Sequence, residues 1–268
     1  MRFKQGTLAF LLTGLALLAP PAPPAAAREA TPTMMLSCED VDVAESAGTS
    51  GTMMGDMDAM DMGTPMAGMD HMAMELDQMY IDMMIPHHAS IITMAQATLP
   101  RLEDERLREI AQAVIATQQP EIEELRGYRE VFYGEAAPMP MDAAMMTAME
   151  QMMPGMMDTM PGTKEMMPGL MEMMPGISEE MVGMAFMMNA EAQVAAVCAA
   201  ENTDLAFIDL TIPHHQMAIV ASEAALQQAT HPEIGEFAQR VIDAQQREID
   251  ELTIIRQELT GEATPASS

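Results

Sequence analysis

The chain has 268 residues and is 49% hydrophobic, but only 3% aromatic and without Trp, so a large aromatic-rich core is excluded. Forty-one Asp and Glu against 12 Lys and Arg leave a net charge of −29, which repels phosphate backbones and anionic membrane surfaces and rules out nucleic acid as a partner. Thirty-six Met residues stand far above ordinary usage and supply soft, polarizable thioethers in place of rigid core fillers.

Residues 1–27 read as a secretory signal. Arg2 and Lys4 form a positive start, Leu8 to Leu18 an apolar stretch too short to span a bilayer, and Ala25-Ala26-Ala27 a small-residue cleavage site. Cleavage removes two basic and no acidic residues, which takes the charge to −31. No other apolar run is long enough to cross a membrane, so the expectation is a soluble periplasmic or secreted protein. Two cysteines remain, Cys38 and Cys198. Export permits a disulfide, but their spacing fixes no distance, and free thiols or metal ligands stay open.

Residues 28–74 are rich in Met, Asp, Gly, Ser and Thr without sustained periodicity and read as a disordered arm. Helical periodicity follows over 75–133 and returns over 203–260. The two segments align at a constant offset of 127: Asp77, Ile81, Asp82, Ile85, Pro86, His87, His88 and Ile92 recur as Asp204, Ile208, Asp209, Ile212, Pro213, His214, His215 and Ile219. The same offset superposes Gln118-Gln119 on Gln245-Gln246, Glu121-Ile122 on Glu248-Ile249, and Leu125 on Leu252. A duplicated helical hairpin is the economical reading, because one hairpin leaves its apolar stripe exposed and two close a four-helix bundle.

In the first helix Ile81, Met84, Ile85, His88, Ile91, Ile92 and Ala95 follow i, i+3, i+4, i+7 spacing, which sets His88 on the core stripe. Its partner helix carries Leu107, Ile110, Ala111, Val114, Gln118, Glu121, Ile122 and Leu125, so a Gln and a Glu interrupt a buried face. Pro86, Pro120 and Pro213 lie inside these patterns and predict kinks or breaks that would re-aim the adjacent histidines. Between the copies, residues 134–177 form a linker in which Met-Pro-Gly recurs every seven residues from Met153 to Gly176. Each Pro-Gly pair forbids a continuous helix. Ser178-Glu179-Glu180 then predicts the start of one further Met-faced helix within 178–200, and residues 261–268 form a tail.

Four of six histidines lie in the doubled Pro-His-His. A buried His facing Glu121 or Glu248 either hydrogen-bonds to it and fixes helix register, or ligates a metal. Met83, Met84 and Met94 in the first copy, and Met217 in the second, lie within a turn or two of these histidines. Mixed imidazole and thioether donors suit Cu(I) better than Zn, Mg or Ca. In the arm, thioethers recur every two to four residues and Met69-Asp70-His71-Met72 adds an imidazole. The bland reading of these Met residues is an oxidation sink. The candidate metal ligands are therefore Met83, Met84, His87, His88, Met94 and Glu121, then His214, His215, Met217 and Glu248, with Met69, His71 and Met72 in the arm.

Asp77-x-x-Tyr80-Ile81-x-Met83-Met84-Ile85-Pro86-His87-His88, continuing through Ile92-x-Met94-Ala95 to Gln118-x-x-Glu121-Ile122, resembles the domain of unknown function 305 family, and the second copy matches through Asp204, Phe207, Ile208, Ile212 to His215, Ile219, Gln245 and Glu248. The resemblance implies a ferritin-like helical bundle and, for several exported members, copper binding and copper tolerance. The Met-rich segments are similar to those of periplasmic copper-resistance proteins. The second copy departs at Thr211, where the first has Met84, and at Ala221, where the first has Met94, so the first copy is the expected better Cu(I) site. The function expected is an exported buffer or chaperone for Cu(I), with Cu(II) or Ag(I) as further cargo and other copper-handling proteins as partners. The alternatives are a metal-dependent oxidase, disfavoured because Gln-x-x-Glu stands where such enzymes carry Glu-x-x-His, and a structural module without metal.

Overall fold

The computed structural model describes residue 38, residues 75–140, residue 145 and residues 179–261. Among the described residues every regular element is helical: α1 (Leu76–Thr98), a 3-10 turn (Leu99–Arg101), α2 (Glu105–Tyr133), α3 (Glu179–Met187), α4 (Ala190–Ala199), α5 (Thr203–Gln228) and α6 (Pro232–Thr260). The result is an all-α bundle. α1 packs along α2 and α5 along α6, and α1 also meets α4 and α5.

Local chemistry sets the helix ends. Asp104, Asn189 and Asn202 precede α2, α4 and α5, and each side chain accepts from a backbone N–H in the first turn. Gly134 and Gly261 follow α2 and α6 at φ 84° and 72°, a left-handed conformation that glycine adopts without Cβ strain.

Of the kinks or breaks expected at Pro86, Pro120 and Pro213 no break is found, and each helix runs through its proline. A proline removes one donor and crowds the preceding turn, but in α1 eighteen of 23 residues are buried, and packing on every side outweighs that local cost. The single helix expected within 178–200 is two, α3 and α4. Asn189 is extended (φ −103°, ψ 99°) and its side chain caps Ala192 N–H, which favours a new helix start over continuation.

The repeat explains how the halves lock together. Asp77 at the start of α1 accepts from Thr230 N–H, His231 N–H and His231 Nδ1 in the α5–α6 connection. Asp204 at the start of α5 reciprocates, accepting from Glu103 and Asp104 N–H in the α1–α2 connection. Within each hairpin a further repeated pair joins the two helices, Asp82 with Arg129 and Asp209 with Arg256. Cys38 and Cys198 form a disulfide, Cα atoms 5.3 Å apart, which joins residue 38 to α4 and settles the choice the sequence left open.

Candidate metal centre

Adjacent positions 87 and 88 on α1, and 214 and 215 on α5, point in different directions around their helices, about 100° apart. The outer members, His88 and His215, face the second helix of their own hairpin: His88 Nε2 lies 3.0 Å from Glu121 Oε2, and His215 Nε2 2.6 Å from Glu248 Oε2. The inner members face each other, His87 and His214 with ring centroids 3.6 Å apart and planes tilted by 34°. All four histidines are fully buried, whereas the side chains of Glu121 and Glu248 keep 18% and 15% exposure. The carboxylates therefore retain some water while the imidazoles have none.

Hydrogen bonding fixes which ring nitrogen carries the proton. A carboxylate only accepts, so His88 and His215 donate from Nε2. His87 donates from Nε2 to the His214 carbonyl at 3.1 Å. Ser90 Oγ lies 2.8 Å from the His87 carbonyl, 2.7 Å from the Met187 carbonyl and 3.0 Å from His214 Nε2. Its one proton goes to a carbonyl, so His214 must donate from Nε2 as well. Every Nε2 is thus engaged, and every Nδ1 of the four rings is buried without a hydrogen-bond partner among the described residues. Imidazoles held at one nitrogen by a carboxylate or carbonyl, with the other lone pair bare, have the arrangement of metal-ligating histidines.

Electrostatics keep the inner pair neutral. Burial pushes the His87 imidazole well below its ordinary pKa, and neighbouring His88 and His215 push it further. His214 is lowered in the same way, first by burial and then by His87, His215 and His88. A neutral ring is the ligating form.

Of the other residues expected from the sequence, Met83, Met84, Met94 and Met217 are fully buried in the apolar core that encloses the histidines. Met69, His71 and Met72 lie outside the described residues. Sequence reasoning missed Ser90, whose place in the second copy is taken by Met217, and it missed the Met187 carbonyl brought in by α3. It noticed Gln118 and Gln245 only as interruptions; both are buried with neither amide atom hydrogen-bonded. Among the described residues no three His, Cys, Asp or Glu side chains converge closely enough to enclose an ion alone.

These features define a helical bundle with a buried layer of imidazoles prepared to donate lone pairs. The domain of unknown function (DUF305) matches residues 27–129 and 77–256, and the chain belongs to this family. A curated relative, the uncharacterized protein L153 of Acanthamoeba polyphaga mimivirus, is 41% identical over 49 residues, which are 18% of this chain. The chain spans 32% of that relative's length. Among solved structures, CopM in the Cu(II)-bound form is similar with a TM-score of 0.46 and 23% identity, covering 68% of this chain and 97% of that one. CopM in the Cu(I)-bound form gives 0.47 and 23%, covering 68% and 96%. Among the described residues no helix is long and apolar enough to cross a membrane.

Proposed function

We propose that the protein is an exported, non-catalytic copper binder that buffers or carries Cu(I) and passes it to other copper-handling proteins. The observation that carries this reading is the set of four buried Nδ1 lone pairs, each on a ring whose Nε2 is already hydrogen-bonded. Leaving a buried polar atom unpartnered costs on the order of 1–3 kcal/mol, so the layer is expensive in a purely structural role. Imidazoles among buried thioethers favour a soft ion, and the Met-rich segments on either side of the first repeat offer further thioethers for Cu(I) or Ag(I). The arrangement of residues 1–27 supports export, and the Cys38–Cys198 disulfide fits an oxidising compartment.

The test is anaerobic titration of the full chain with Cu(I) against a competing chelator, with oxygen consumption followed in parallel. Several tightly held ions without turnover support the binder. Turnover with iron or copper would replace it by an oxidase, and no tight binding would leave only a structural module. Mass spectrometry of the exported protein is expected to find a chain beginning after Ala27.

A further inference from the structure

Gln118 and Gln245 occupy equivalent positions in the two copies, each only 2% exposed, and among the described residues none of their four amide atoms has a hydrogen-bond partner. The large majority of buried side-chain polar atoms are bonded in folded proteins, so two amides at equivalent positions left bare require a physical reason. Each stands three residues before the glutamate that holds an outer histidine, Glu121 for His88 and Glu248 for His215. Three residues are about 4.5 Å along a helix axis, on nearly the same face. The amides therefore sit about one turn along α2 and α6 from the glutamates that hold the outer histidines.

Resting on the copper-binding reading above, we infer that Gln118 and Gln245 are metal ligands through Oε1, completing nitrogen–oxygen ligand sets with the imidazoles that hold copper as Cu(II). Among the described residues the imidazole and carboxylate side chains do not close a site alone. An amide oxygen is neutral, so it adds a donor to the bundle interior without burying a charge, and it is harder than a thioether. The bundle interior then offers two classes of donor. Nitrogen and oxygen serve the divalent ion, while the buried sulfurs, Met84 among them, serve the monovalent one. Thr211 replaces Met84 in the second copy, and its buried hydroxyl is also unpartnered, so that half is the harder of the two.

The test is the full-chain double variant Gln118→Leu with Gln245→Leu, loaded with one equivalent of Cu(II) and compared with the unaltered protein by electron paramagnetic resonance and competitive titration. The expected result is a changed copper hyperfine splitting, an at least tenfold weaker Cu(II) affinity, unchanged Cu(I) stoichiometry, and a metal-free Tm equal to or above that of the unaltered chain. If the double variant does not fold, Gln118→Asn with Gln245→Asn keeps the amides but withdraws them by one methylene, and the same loss of Cu(II) affinity is expected. An unchanged spectrum and affinity, or an unaltered protein that holds Cu(I) but not Cu(II), overturns the inference while leaving the copper-binding reading intact. An unaltered protein that binds neither ion overturns that reading itself.

Discussion

Ser90 shows how one side chain makes two copies of a motif inequivalent. Its hydroxyl takes the His214 Nε2–H and bonds to a carbonyl, whereas in the second copy Met217 stands at that position and His87 turns instead to the His214 carbonyl. In Ser90→Ala the buried Nε2–H loses its acceptor and the Met187 carbonyl a donor. The expected cost is about 1–3 kcal/mol, read by chemical denaturation, with nitrogen NMR showing His214 released from a single tautomer. Normal stability with an unchanged spectrum would remove Ser90 from this role. The inner histidines also set a pH dependence for the metal-free protein. Their folded pKa values lie below the ordinary 6.5, so below pH 6.5 the unfolded chain binds protons that the folded chain refuses. The stability they contribute is present above pH 6.5 and is lost as pH falls from there towards their lowered folded values. Each contributes a slope of about 1.4 kcal/mol per pH unit in that window. Denaturation midpoints of chelator-treated protein between pH 7 and pH 5 check this; a flat profile would mean that the rings accept protons in place.

At the scale of the helix, the duplicated aspartates join local sequence to architecture. Asp77 and Asp204 each cap the connection of the opposite hairpin, so neither hairpin's turn is satisfied without the other copy. Asp77 accepts from two backbone N–H groups and the His231 ring; Asp204 accepts from two N–H groups only. Asp204→Ala is therefore expected to lose about 0.5–2 kcal/mol, in the range of a lost cap, and Asp77→Ala more, by urea denaturation. The reverse order would show that His231 contributes nothing through Asp77. Much of this was legible: the offset of 127 located the hairpins, and helical spacing set His88 opposite Glu121. Other features were not. The prolines suggested breaks because local rules cannot see that α1 is covered by α2, α4 and α5. The contact of the His87 and His214 rings, and the Ser90 hydroxyl between two copies, arise from the pairing of α1 with α5. No periodicity within one helix records that pairing. Asn189 carried a cap signal that the surrounding Met and Ala run obscured.

The whole molecule folds against its own charge. The chain carries a net charge of −29, and an excess of one sign generates repulsion that favours any more expanded state. Opposing it at the surface are cross-hairpin pairs, Arg106 with Glu258 and Arg240 with Glu124, which tie α2 to α6. Added salt weakens both effects, so the sign of its influence shows which is larger. Surface pairs of this kind contribute about 0–1 kcal/mol each, whereas the excess acidic charge acts on every part of the surface at once. Raising ionic strength from about 0.01 M to about 0.15 M shortens the screening length from about 30 Å to about 8 Å, which removes long-range repulsion but leaves contacts at hydrogen-bond distance partly intact. The metal-free protein is therefore expected to show a higher Tm in the more concentrated NaCl, measured by calorimetry at pH 7.5, where the inner histidines are neutral. A Tm that falls with salt would mean that the few cross-hairpin pairs outweigh the net charge. The acidity would then have to be explained by cation collection alone, since it would carry no cost to the fold.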